Sequence, residues 1–138
     1  MFLILITISC SPKPKLYYFD CNKQNPDVVY NFFPQAINMQ DYYVSKVSKD
    51  SCYIIATKPL LQTNKKEGIE KQFIELRFDF VFNNDKKKSE IKLYYMVEIN
   101  GKRKIKNLKD EQLEKYEKDV KVLQEKLLFY CNPEFKGR

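Results

Sequence analysis

Residues 74–99 read IELRFDFVFNNDKKKSEIKLYYMVEI, and the alternation in this stretch decides the fold. Ile74, Leu76, Phe78, Phe80 and Phe82 occupy every second position, with Glu75, Arg77 and Asp79 between them. After the polar turn NNDKKKS, Ile91, Leu93, Tyr95, Val97 and Ile99 alternate with Lys92, Tyr94, Met96 and Glu98. A period of two marks strands with one buried face. Opposed residues share a face, so a one-residue slip would bury charges. The predicted register sets Phe82 against Ile91, Phe80 against Leu93 and Phe78 against Tyr95. Asp79 then lies diagonal to Lys92, and Arg77 diagonal to Glu98, on a solvated outer face. Tyr94 and Met96 share that outer face, with Phe73 nearby, and form the candidate partner-binding surface.

Working toward the C-terminus, Asn100-Gly101 predicts a second turn. A two-residue loop would put Lys102 and Lys104 on the core face, so a three-residue loop with a glycine bulge is expected. Tyr95 would then face Ile105, and Glu98 would face Lys102. From Asp110, the residues Leu113, Tyr116, Val120, Leu123, Leu127 and Tyr130 recur at spacings of three and four, forming one helical stripe. Glu111–Lys115, Glu114–Lys118 and Glu117–Lys121 are favourable i,i+4 pairs on its outer side. The stripe spans under three heptads, which favours packing on the sheet over a coiled-coil seam.

Working back toward the N-terminus, DYYVSKVS and CYIIATK flank Lys49-Asp50 as a hairpin, with Cys52 buried in its second strand. Pro59 is expected to end that strand, and QTNKKEG to follow as a loop. Asn25-Pro26-Asp27 has the features of a helix start: a capping residue, proline in the first turn and an acid beside it. Val28, Val29, Phe32, Phe33, Ala36 and Ile37 form the apolar face of that helix, which Pro34 is expected to kink or split. The fold class is α+β: a mostly antiparallel four- to five-stranded sheet with a kinked N-terminal helix and a long C-terminal helix packed on one face. Residues 16–138 make a single domain, as a chain of 138 residues permits.

The chain carries 25 basic and 18 acidic residues, a net charge of +7 that suits an anionic partner. The excess falls in loops at Lys65 and Lys66, at Lys86 to Lys88, and at Lys102, Arg103 and Lys104 with Lys106. The first and third groups are expected at one end of the sheet and are the candidate anion contacts. The second is expected at the other end. That split, and the lack of aromatic-plus-basic RNA-binding motifs, makes nucleic acid an unfavoured partner. A solvated, solubilising surface is the simpler role for such lysines.

The opening residues, FLILITI at 2–8, are too few to span a bilayer. They suit either a buried first strand or a targeting segment. Thr7-Ile8-Ser9-Cys10 resembles the lipobox of bacterial lipoproteins. That resemblance implies a signal peptide at 1–9, cleavage before Cys10, and acylation of Cys10 with palmitate-class chains. It also implies a membrane-anchored place in the bacterial cell envelope, at the outer membrane or on the periplasmic side. Residues 10–15 would be the tether, keeping the domain where its lysines meet anionic head groups.

An exported chain would hold Cys21, Cys52 and Cys131 where disulfides persist. Cys21 precedes the first folded segment and Cys131 follows the last helix, so these two are the expected pair. The alternative is three small core residues. No CxxC spacing and no histidine occur, so no metal site and no cofactor are expected. The absence of histidine also excludes His-based triads. Cys52 is the one candidate nucleophile, and Glu75 with Asp79 or Glu98 the one carboxylate cluster. Neither has an activating partner in sequence. A non-catalytic envelope module that binds an envelope protein or polymer is the expected function. The alternative is a soluble basic module binding anionic ligands, with residues 2–10 as a core strand.

Overall fold

A computed structural model describes residues 13–137. The expected signal segment, Cys10 and the first part of the expected tether lie outside the described residues. The element order is β1 (Lys15–Phe19), α1 (Pro26–Met39), β2 (Tyr43–Ser48), β3 (Tyr53–Lys65), β4 (Gly68–Asp79), β5 (Ser89–Ile99), β6 (Lys102–Lys106) and α2 (Asp110–Tyr130). The strands form one antiparallel sheet in the order β1-β5-β4-β3-β2, and β6 also pairs with β5. The fold is α+β, as expected, with six strands instead of four or five. The additional strand is β1, which begins at Lys15 within the expected tether. Its five residues are too few to announce themselves by alternation, and it depends on β5 for partners.

Both helices pack on one face of the sheet. Ile54, Ala56, Ile74, Leu76, Phe78, Ile91 and Leu93 meet Val29, Phe33 and Ile37 of α1 and Val120, Leu123 and Leu127 of α2 in a single buried cluster. Phe33 stands edge-on to Phe78 with ring centroids 4.9 Å apart. The α2 stripe behaves as its spacing predicts: Tyr116, Val120, Leu123 and Leu127 are buried, and Leu113 and Tyr130 pack at its ends. The three i,i+4 pairs on its outer side do not close as ion pairs. At a solvated surface such pairs contribute little, and water competes for both charges. Asn25 caps α1 by accepting a hydrogen bond from the Asp27 backbone N–H. The helix is not split by Pro34, which withholds a donor from the Tyr30 carbonyl while the flanking apolar face stays packed.

The register of β4 and β5 keeps the expected faces but slides by four residues. Phe78 opposes Ile91, Leu76 opposes Leu93 and Ile74 opposes Tyr95. An even slip leaves every side chain on its predicted face, so alternation cannot distinguish the two registers. Asp79 still reaches Lys92 diagonally, at 3.3 Å, whereas Arg77 faces Lys92 and not Glu98. Phe80 and Phe82 therefore leave the ladder. The Phe80 N–H turns to the Cys52 carbonyl at 2.8 Å, and both rings pack against Tyr30.

Pro59 does not end β3, which continues to Lys65 and forms a long hairpin with β4 where QTNKKEG was expected to be a loop. Pro59 sits at a register shift between Pro59 and Leu61, beyond the last β2–β3 pair, Tyr43 with Thr57. Proline is tolerated at such an interruption. The Asn100-Gly101 turn is the two-residue form, with φ of 51° and 78° and Lys102 directly opposite Ile99. Both residues accept positive φ, and this turn matches the sheet's twist. Lys102 and Lys104 do take the helix-side face, but they are exposed there. Cys52 is not in a strand. It occupies the turn before β3 at φ 57° and is half-buried.

The ends of the chain are tied together. Cys21 and Cys131 lie at disulfide distance, with Cα atoms 4.7 Å apart across a separation of 110 residues. Beside them the Gln24 amide nitrogen lies 2.7–2.8 Å from the carbonyls of Tyr130, Asn132 and Phe135, and its two hydrogens tie the segment before α1 to the end of α2.

Candidate functional site

The face of the sheet turned away from the helices alternates with the core, so its occupants are the odd-numbered residues of β4 and the even-numbered residues of β5. Register shifts interrupt β2 between Val44 and Lys46 and β3 between Pro59 and Leu61. Two neighbouring bulges bend and twist the strands that carry them. A cleft of about 600 Å³ opens here, floored by Ile55, Thr57, Phe73 and Glu75 and rimmed by Tyr43 and Leu60.

Glu75 is the chemically distinctive group of the cleft. It is 7% exposed and lies between the buried core residues Ile74 and Leu76. Burial pushes its carboxyl above the usual carboxylate range, and the nearby Arg103 and Arg77 guanidiniums pull it partly back. Arg103 reaches over from β6. One of its terminal nitrogens lies 3.3 Å from a Glu75 oxygen, and its Nε lies 3.3 Å from Glu98. Its guanidinium carbon sits 5.4 Å from the centroid of Phe73. The result is a bridged carboxylate pair on an aromatic platform, open to solvent through the half-exposed arginine. This arrangement can hydrogen-bond a polar ligand and stack against an apolar one.

Tyr94 and Met96 lie on this face as expected, half-buried and directly opposite Glu75 and Phe73. They adjoin the cleft without lining it. The structure redistributes the candidate anion contacts. Lys65 pairs with Glu70 at 3.3 Å, Lys66 sits in the exposed β3–β4 turn, and Arg103 is engaged by its two carboxylates. Lys102 and Lys104 project on the opposite, helix-side face. The β3–β4 and β5–β6 turns share one end of the sheet, where the Asn100 side-chain amide donates to the Glu67 carbonyl. Lys86 to Lys88 lie at the other end, where the Asn22 amide donates to the Lys87 carbonyl.

Of the expected carboxylate cluster, Glu75 and Glu98 meet through Arg103, while Asp79 pairs separately with Arg77 at 2.9 Å. Sequence reasoning missed Arg103 as a cleft residue because the wrong loop length at Asn100-Gly101 reverses every side chain of β6. Among the described residues no group of three or more His, Cys, Asp or Glu could hold a metal ion. No described helix is long and apolar enough to cross a membrane. No known family model and no curated protein matches the chain.

Proposed function

We propose that this chain is a non-catalytic, lipid-anchored module of the bacterial cell envelope, acylated at Cys10, that binds an envelope protein or polymer through its open sheet face. The observation that carries this reading is the Cys21–Cys131 pair at disulfide distance, which fits an oxidising compartment outside the cytoplasm. The lipobox-like Thr7-Ile8-Ser9-Cys10 supports the same location. The cleft supports binding: it is concave, mixed in polarity and close to Tyr94 and Met96. Its buried carboxylate is bridged to an arginine and no histidine stands near it, an arrangement suited to recognition more than to proton transfer.

The test is the intact mass, without reductant, of the protein recovered from its host. Residues 10–138 plus acyl groups, less two hydrogens for one disulfide, is the expected result. A soluble product that retains FLILITI and carries free thiols would sink the proposal and favour the basic soluble module.

A further inference from the structure

The tertiary structure arranges lysines in a way the sequence does not suggest. β1 and β6 are distant in sequence, yet both pair with the same edge of β5, one after the other. Lys15 opposes Leu93, Lys106 opposes Tyr95, Lys104 opposes Val97 and Lys102 opposes Ile99. Opposed residues share a face, and successive same-face positions on a strand lie about 7 Å apart. Two separate strands thus contribute to one row of four exposed lysines about 20 Å long on the helix side of the sheet edge. Lys13, also exposed, lies two residues before the end of the row at Lys15. No lysine of this row belongs to an ion pair among the described residues. Arg103, the remaining cation of β6, points to the other face, where it is held by Glu75 and Glu98. Acids on the row's side include Glu70, which pairs with Lys65 and also feels the charge of Lys106, and Glu117 of α2, which accepts from the Tyr17 hydroxyl.

The geometry points to this row as a membrane-docking edge for anionic phospholipid head groups. The inference rests on the anchored reading proposed above and adds an orientation to it. Lys15 is both the end of the row and the first residue of β1, and it lies five positions after Cys10, a reach of at most about 18 Å. A lipid anchor at Cys10 would therefore hold the row against the membrane surface. The sheet then stands on its β1–β6 edge. The cleft lies mostly on β2, β3 and β4, about 10–15 Å or more from that edge at the usual strand spacing. It opens sideways above the head groups, accessible to an envelope partner.

The experiment uses the full chain with Cys10→Ser, so that no acyl group forms, floated with vesicles of phosphatidylcholine alone or mixed with phosphatidylglycerol. Residues 2–8 contribute equally to every variant, so ratios between variants isolate the lysines. Each lysine near an anionic surface strengthens binding by about fivefold. Lys102, Lys104 and Lys106 all changed to Gln should weaken binding to the anionic vesicles by about a hundredfold. The same change at Lys86, Lys87 and Lys88, equal in charge but at the far end, should have little effect. Lys13→Gln with Lys15→Gln leaves β6 untouched and should cost about thirtyfold. Equal losses from both triple variants would reduce the effect to net charge and overturn the docking edge, as would unchanged binding in all of them. A failed anchor reading is seen separately, in the intact mass, and leaves this comparison interpretable.

Discussion

Replacing Arg103 with Ala should expose the cost of burying Glu75. An exposed ion pair alone contributes about 0–1 kcal/mol, and Arg103 is half-exposed, its side chain retaining 53% of its surface. Glu75 is different, because its side chain is 9% exposed and loses its closest counter-charge. A buried acceptor left without its partner costs about 1–3 kcal/mol. Arg77 remains nearby, so the expected destabilisation of Arg103→Ala is about 2 kcal/mol at neutral pH. In a Glu75→Gln background the same substitution removes only the Glu98 contact and the stacking on Phe73, and should cost less than about 1 kcal/mol.

The pH dependence has a definite sign. Glu75 has a folded pKa above its unfolded one, so the folded state holds that proton more readily. Its ionisation therefore costs stability above the raised pKa, and the cost is relieved as the pH falls through it. Removing Arg103 raises that pKa further, so the penalty of Arg103→Ala should be largest near neutral pH and shrink as acid protonates Glu75. Urea unfolding of the four proteins of this cycle, at neutral pH and near pH 4, measures both effects. A loss from Arg103→Ala that is the same with Gln at position 75, or the same at both pH values, would refute the reasoning.

Two further outcomes follow from the architecture. Replacing Cys21 and Cys131 with Ser should lower stability in urea by up to about 4–5 kcal/mol, because the bond closes most of the chain into one loop; added reductant should then have no further effect on the variant, and a continued response would implicate Cys52 instead. Phe33→Ala, at a position with no exposed surface, should cost about 3–5 kcal/mol, whereas Leu128→Ala, 63% exposed, should stay within about 0.5 kcal/mol. Thermal or urea unfolding of both variants tests which faces of α1 and α2 meet the core, and comparable losses would contradict that assignment.

The strand faces, the α2 stripe, the Asn25 cap and the Cys21–Cys131 pair were legible in the sequence, because each follows from a local rule or from the placement of the chain ends. Periodicity assigns a residue to a face without needing to know its partner. It is blind to any slip of two or four residues, which explains why the β4–β5 register moved while Asp79 still found Lys92. The exposed side chains of β6 also show the limit of a burial argument. Lys102 and Lys104 were expected to avoid the core-side face, but that face is solvated where they lie, and the preference of Asn-Gly for a two-residue turn prevails.

What the sequence by itself determined is the class of fold: two helices on an antiparallel sheet, with a basic surface and the residues from which a site could be built. The tertiary structure alone decided which of those residues meet. Bulges at Ser45 and Leu60 open the cleft, and the turn at Asn100-Gly101 brings Arg103 to Glu75. The shared edge of β5 lines Lys15 up with Lys106, Lys104 and Lys102. The meeting of β1 with β5, and of Arg103 with Glu75 across β5, depends on long-range pairings, set by which strand edges find each other once the core has formed, and no local pattern of residues encodes them.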